Sequence, residues 1–252
     1  MRISIVTPCF NSADTLADTI ESVLSQTYPD VEHVIIDGGS SDGTVGLIQK
    51  YEPRYGGRLR WISGPDKGIY DAMNKGIALA TGDVVGILNS DDFFYDREVV
   101  ADIASAFNRD TDCTFGNLLF VSKTDKTKVV RIWKGSPYRN FTTGWHPAHP
   151  TFYIRHAHLL SFGGFNTRFG IAADFELMLR MIERYHLATK YIDRYMVCMR
   201  MGGKSTGKLI NIIKGNIEAY RAFSANDIRI TPLYPLRRLA PKAVGVITHF
   251  FK

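Results

Sequence analysis

Short apolar runs alternate with amphipathic stretches through the first part of the chain. Ile3 to Thr7 is apolar enough for a buried strand, which Pro8 is expected to end. Leu16, Ile20, Val23 and Leu24 recur at the spacing of one helical face, with Asn11 or Ser12 as the expected N-cap and Tyr28-Pro29-Asp30 as the break. Val34-Ile35-Ile36 reads as a second strand, ending in Asp37-Gly38-Gly39-Ser40-Ser41-Asp42-Gly43, and a helix follows. Leu59 to Ser63 predicts a third strand and Ile69 to Ala80 a helix closed by Thr81-Gly82. Val84-Val85-Gly86-Ile87-Leu88 is apolar without alternation, as the middle of a sheet requires. Strands and helices at this spacing imply parallel βαβ units and an α/β class.

Beyond Asp92 the rhythm changes. A helix near Glu98 to Phe107 leads to strand-like runs at Cys113 to Phe120 and Val129 to Trp133, then to a polar, aromatic loop from Gly135 to Ala148. A strand at Thr151 to Ile154, a helix near Asp174 to Tyr185 and a strand at Tyr191 to Met199 complete the body, and the clearest joint is Gly202-Gly203. Hydrophobic residues make up 45% of the 252, enough for a substantial core. The net charge of +6 is unevenly placed: ten of the 31 Lys/Arg, but two of the 25 Asp/Glu, lie from Arg200 onward. A nucleic-acid enzyme would spread basic residues along a groove, so no nucleic-acid partner is expected. A basic tail suits an anionic membrane surface instead. Cys9, Cys113 and Cys198 are odd in number and far apart, which argues against a disulfide framework and for a reducing compartment. The apolar N-terminus is too short for a signal-peptide core, and no run approaches the roughly 18 residues of a spanning helix. The expectation is a cytoplasmic chain, soluble or peripheral.

The strand at Val84–Leu88 runs straight into Asn89-Ser90-Asp91-Asp92. The carboxyl ends of strands in open α/β sheets face the ligand crevice. Adjacent acids there repel unless a cation sits between them, and a divalent ion carrying a diphosphate is the natural one. Asp92 assisted by Asp91 is therefore the expected metal pair, with a helix N-cap as the alternative. Asp37 ends strand two before Gly38-Gly39, where a carboxylate can take a hydrogen bond from a base or ribose and the glycines admit a ligand. The alternative is a plain turn with Ser41 or Asp42 capping. Neither a Gly-x-Gly-x-x-Gly fingerprint nor a Walker lysine is present. Asp174 and Glu176 open a helix, and Asp174 is a cap unless it faces the crevice of Asp92, where it becomes a candidate base. His146 and His149 are interleaved with prolines and make a pre-set turn rather than a zinc pair, with one of them a candidate to line the site.

These pieces, in this order, resemble the family 2 glycosyltransferases, which have the GT-A fold. The resemblance spans residues 3–206 and is carried by Ile5-Val6-Thr7-Pro8-Cys9-Phe10-Asn11, Ser22 to Thr27, Ile36 to Thr44, Asp71 to Gly76 with Ala80-Thr81-Gly82, Asn89 to Asp92, and Ala173 to Leu177. Pro65-Asp66-Lys67-Gly68-Ile69-Tyr70-Asp71 together with Asn89–Asp92 is similar to bacterial exopolysaccharide and O-antigen transferases of the colanic-acid type. The resemblance implies a nucleotide-sugar pocket of Thr7, Pro8, Asn11, Asp37, Asp66, Lys67, Asn74 and Asp91. It implies Mg²⁺ or Mn²⁺ on Asp92 and Asp91, Asp174 as the catalytic base, and a diphosphate or acceptor loop of His149, Lys204 and Ser205. Three departures stand out: Gly38 and Asn89 where many members carry Asp, and Ala173 where many carry Glu.

The implied activity is inverting transfer from a UDP- or GDP-sugar to a saccharide or polyprenyl-linked acceptor in cell-surface polysaccharide synthesis. The implied architecture is a GT-A catalytic domain over 1–201 with a mixed central sheet, its Rossmann-like nucleotide-sugar half near 1–95 and its acceptor half near 96–201. A basic, partly helical appendage follows over 202–252. There Leu209, Ile210, Ile212, Ile213, Ile217, Tyr220 and Phe223 form an apolar face expected to pack on the body or on another subunit. Residues 232–252 are a candidate for peripheral contact with the cytoplasmic face of the inner membrane. Two alternatives remain. A sugar-1-phosphate nucleotidylyltransferase would want a basic loop where Pro8 to Ser12 has none. A non-catalytic nucleotide-sugar binder on the same fold is suggested by Asn89 and Ala173.

Overall fold

The computed structural model describes residues 1–202, 209–231 and 234. Strands β1 (Ile3–Cys9), β2 (Val31–Asp37), β3 (Leu59–Ser63) and β4 (Val84–Ile87) lie parallel in the order β3-β2-β1-β4. Helices α1 (Leu16–Leu24), α2 (Thr44–Tyr51) and α3 (Ile69–Leu79) make the crossovers between them. Pro8 does not end β1: it pairs with Ile36, and Cys9 pairs with Asp37. Pairing of β1 with β4 stops at Val6, whose carbonyl takes the Leu88 N–H. Pro8 thus lacks its N–H where the strand on that side has already turned away, the one setting in which a sheet tolerates it. The expected cap of α1 is also different. Thr15 is the N-cap, Ser12 contributes its backbone carbonyl to Thr15 and Leu16, and Asn11 sits at φ 49° with its side chain accepting from the Ser41 N–H.

The second half comprises β5 (Phe93–Phe94), α4 (Val99–Ala106), β6 (Cys113–Val121), β7 (Val129–Trp133), β8 (Tyr153–Arg155), α5 (His156–Phe162), α6 (Ala173–Leu179), β9 (Thr189–Arg200) and α7 (Leu209–Ala225). Antiparallel β8 joins β4 to β6, β9 runs parallel to β6, β5 closes the far edge on β9, and β7 is a flap on β6. Neither β5 nor α5 shows in the sequence pattern; β5 has two residues and α5 buries only Leu159. Helix α6 runs on into a wide π turn at Arg180–Arg184.

Successive residues of β1 and β4 feed two cores, one on each face of the sheet. Val6, Val85 and Ile87 join Met73, Leu159, Phe175 and Phe223, whereas Ile3, Ile5, Val84 and Leu88 join Leu16, Ile20 and Ile48. Helix α7 belongs to the first core through Ala219, Ala222 and Phe223, the last ring lying 5.8 Å from Phe175. The expected apolar face packs only in part: Phe223 is fully buried and Tyr220 packs on the core, whereas Ile210, Ile213 and Ile217 are 52%, 48% and 48% exposed. The small residues Gly215, Ala219 and Ala222 turn inward instead and allow the helix to approach closely. Among the described residues no helix is long and apolar enough to cross a membrane. Lys204, Ser205 and, apart from Tyr234, the 232–252 segment lie outside the described residues.

Candidate active site

The carboxyl ends of β1, β2 and β3 meet around Asp37. Its side chain is fully buried and accepts from the N–H groups of Gly39 at 3.1 Å and Ser40 at 3.0 Å, from the Ser63 hydroxyl at 2.6 Å and from the Ser40 hydroxyl. Burial alone would push this carboxyl up, but the Ser40 and Ser63 hydroxyls and the two backbone donors hold it below the usual range. Asp37 therefore organises the turn and presents it. The N-cap of α2 is Gly43, at φ 98° and with no side-chain cap, rather than Ser41 or Asp42; Asp42, one residue earlier, takes the Thr44 and Ala13 N–H groups at 3.1 and 3.0 Å. Thr7 turns its hydroxyl inward to His33 Nε2 at 2.9 Å, leaving its strand end to shape the floor. The Asp66 carboxylate occupies the space over Gly38: a Cβ on that glycine would come within 2.5 Å of Asp66 Oδ2. The acid absent at position 38 is replaced in space by one from the loop after β3. Asp66 Oδ1 accepts the Gly68 N–H at 2.8 Å, and the Lys67 N–H is taken by Asp71 at 3.0 Å.

The two acids after β4 separate sharply. Asp92 is fully buried, receiving the Asn89 side-chain amide at 3.0 Å and the Arg200 N–H at 3.2 Å. Burial, and then the neighbouring charge of Asp91, push its carboxyl well above the usual range. Asp91 is half-buried and lines a polar cavity of about 740 Å³ with Asn11, Ser12, Asp18, Ser90, Lys126 and Arg200. Asp91 faces the cavity, whereas Asp92, the expected leading metal ligand, is held by the Asn89 amide and the Arg200 N–H. The cause is Arg200, the last residue of β9, whose backbone reaches Asp92 while its guanidinium binds the Asp91 carbonyl at 2.9 Å and the Asp18 carboxylate. Lys126, from the turn between β6 and β7, also reaches Asp18, at 2.6 Å. Nothing in the sequence announces Arg200, because its partners are far away along the chain.

The oxygen donors fit a divalent cation. Asp91 is raised by burial, a penalty that a nearby cation would offset. Asn89 Oδ1 is buried and accepts no hydrogen bond, leaving an oxygen lone pair where many relatives have a carboxylate. No group of three His, Cys, Asp or Glu stands together among the described residues. Mg²⁺-type sites that borrow substrate phosphates manage with one or two protein carboxylates.

Asp174 lies at the start of α6, on the other face of the sheet. Its Oδ2 is 3.1 Å from His149 Nδ1, and its Oδ1 accepts the Phe175 N–H at 2.8 Å. The two side chains border a cavity of about 20 Å³ whose other walls are apolar, among them Gly86 and Ile87 of β4. Two residues singled out separately in the sequence are therefore in contact, and both line a cavity that Gly86 and Ile87 of β4 also wall. Asp174 and Asp91 do not line the same cavity, so the condition set by the sequence, that Asp174 face the crevice of the acids after β4, is not met by this geometry, and a base role for Asp174 rests on the family resemblance. His146 stacks edge-on against Trp133 and Phe175 and is held in place as a core ring. Asn74 is committed at both ends of its amide to the backbone of Phe165, each bond 2.8 Å, so it braces the Gly163–Phe165 loop.

Comparisons with known proteins give the family and the fold. The family model for glycosyl transferase family 2 matches residues 4–169. An uncharacterized glycosyltransferase of Mycobacterium tuberculosis is 36% identical over 182 residues, covering 71% of this chain and 68% of that protein. Among solved structures, the mannosyltransferase PcManGT of Pyrobaculum calidifontis, in complex with GDP-Man and Mn²⁺, superposes with a TM-score of 0.68 at 17% identity, over 94% of this chain and 68% of that one. TarS 1-349 of S. aureus in complex with UDP-GlcNAc gives 0.66 at 17% identity, over 90% and 65%. This chain spans 43% of the longer TarS structure. At such identities the structural likeness is one of fold, and the fold is GT-A. The matched family model, the mycobacterial relative and the strand-end acids converge: the chain belongs to glycosyl transferase family 2.

Proposed function

We propose that this glycosyltransferase moves a sugar from a nucleoside diphosphate sugar to an acceptor hydroxyl with inversion, using Asp174 as general base. The observation that carries the reading is the Asp174–His149 pair on a cavity walled by Gly86 and Ile87 of β4, the strand whose end presents Asp91. The base and ribose would lie over the turn built on Asp37, with Asp66 filling the place of the acid absent at Gly38. The donor's diphosphate would enter the Asp91 cavity. Asp91 and Asn89 would hold Mg²⁺ or Mn²⁺, which when bound supplies Lewis-acid charge for the leaving diphosphate. The nucleotide complexes of PcManGT and TarS support a donor of this class.

The acceptor oxygen attacks the anomeric carbon as the carbon–oxygen bond to the diphosphate breaks, and the bonding pair leaves on the phosphate oxygen. Asp174 takes the hydroxyl proton as this happens. His149 fixes the carboxylate's direction, and the apolar wall of Ile87, Phe152 and Leu177 keeps competing water away from that side. Attack opposite the leaving group inverts the centre, the logic of inverting glycosidases with a sugar hydroxyl in place of water. A saccharide or polyprenyl-linked acceptor at a membrane surface fits the basic C-terminal composition.

A panel of UDP- and GDP-sugars tests the reading, with Mn²⁺ and with EDTA. One donor should release its nucleoside diphosphate in a metal-dependent way. Asp174→Asn should lower turnover by about 10²–10⁴-fold while leaving donor binding intact. Asp91→Asn should abolish the metal-dependent release. Donor binding without turnover in the wild type, with a full acceptor panel, would favour the non-catalytic alternative.

A further inference from the structure

Helix α7 reaches the site from the far end of the chain. The Glu218 carboxylate accepts hydrogen bonds from three successive backbone N–H groups: Gly170 at 3.2 Å, Ile171 at 2.8 Å and Ala172 at 2.9 Å. The Ile171 carbonyl is held from the other direction by the Tyr70 hydroxyl at 2.8 Å. Ala172 is the residue from which α6 starts, and Asp174 follows two positions later. We propose that Glu218 is a positioning residue for Asp174. By fixing the backbone from Gly170 to Ala172 it sets the direction in which the Asp174 side chain leaves α6, and hence its contact with His149. The inference rests on Asp174 being the base.

The connector between α5 and α6 shows why this bond set matters. Its entry is doubly anchored: Arg180 donates to the carbonyls of Phe162, Gly163 and Gly164, and Asn74 holds Phe165. Its exit, beside Asp174, depends on Glu218 and Tyr70. Gly170 is exposed and its N–H can turn to water, but the part-buried Ile171 and Ala172 donors left unpaired would carry a desolvation cost, which charge-assisted bonds to the one carboxylate remove. Helix α7 has separate attachments. Asn226 donates to Glu176 Oε1 at 3.0 Å inside a buried Glu176–Arg180 pair, and Phe223 fills the core. Removing the Glu218 carboxylate therefore loosens the loop without detaching the helix. Displacements near 1 Å at a reacting group are enough to cost about 10²-fold in rate.

The test uses the full chain and the donor identified above. We expect Glu218→Ala to lower kcat by about 10²-fold and Glu218→Gln, which keeps one acceptor oxygen, by about tenfold, with donor KM within about twofold in both. In the Asp174→Asn background the same changes should add no further loss, because they act through the residue already removed. Amide hydrogen exchange should rise in peptides spanning 166–175 and stay unchanged over 219–226. A kcat that is unaffected, losses that multiply with Asp174→Asn, or exchange that rises throughout α7 would each overturn the proposal and leave Glu218 a stability residue. If Asp174→Asn retains full turnover, the base assignment falls and this inference falls with it. A dead Asp174→Asn beside a fully active Glu218→Ala would sink the inference alone.

Discussion

His33 is wholly buried between the Thr7 hydroxyl at 2.9 Å and the Tyr55 hydroxyl at 2.5 Å, and burial pushes its pKa down to about 3. The unfolded chain protonates this ring near pH 6.5 while the folded one does not. The stability it contributes is thus complete above pH 6.5 and is lost as pH falls toward 3, by up to about 1.4 kcal/mol per pH unit. His33→Asn should flatten the pH dependence of the urea midpoint between pH 6.5 and 5; equal slopes in the two proteins would show that His33 is not held neutral. The same scale explains what could be read in advance. Asp37 and Asp91 stand out because each closely follows an apolar strand run, whereas Asp174 is one of the acids common at helix starts and is singled out only by the family resemblance. That Asp91 rather than Asp92 opens outward was not legible, since a backbone N–H from Arg200 decides it. Asn74, implied as a ligand by the family resemblance, gives one amide hydrogen bond to Phe165 and accepts one from it.

Among elements, the parallel β1–β4 half was readable because buried strands and amphipathic helices leave clear periodicities. The second half was less so: α5 is too short to show a period, and β5 exists only because β9 pairs with it. Close approach of elements leads to a direct test. An added Cβ at Gly76 of α3 would come within 2.2 Å of Val6 Cγ1 on β1, whereas one at Gly46 of α2 meets nothing within 4 Å. Gly76→Ala should destabilise the protein by about 1–3 kcal/mol, and Gly46→Ala should stabilise it by up to about 1 kcal/mol. Chemical denaturation of the two variants measures both; shifts of the same sign would refute the packing argument.

For the whole molecule, the family match ends at residue 169, before α6, β9 and α7. Those elements nevertheless carry Asp174, Arg200 and Glu218. A chain ended at Gly202 would uncover Phe175, lose Phe223 from the core and leave three backbone donors of the 170–172 segment without their carboxylate. We expect such a chain to bind a hydrophobic dye, to elute as aggregate on gel filtration and to show no transfer. Full turnover by the shortened chain would show that α7 is dispensable. The pairing of Phe93 with Cys198, and of Asp92 with Arg200, has a consequence in time as well as in space. During synthesis β1 to β4 can assemble from the earliest residues, but Asp92 waits for more than a hundred later ones before its backbone partner exists. A ribosome-bound fragment can therefore hold Asp37 through Ser40 and Ser63 while Asp92 still lacks its Arg200 partner, and the end of β4 acquires its finished shape only when β9 has been made.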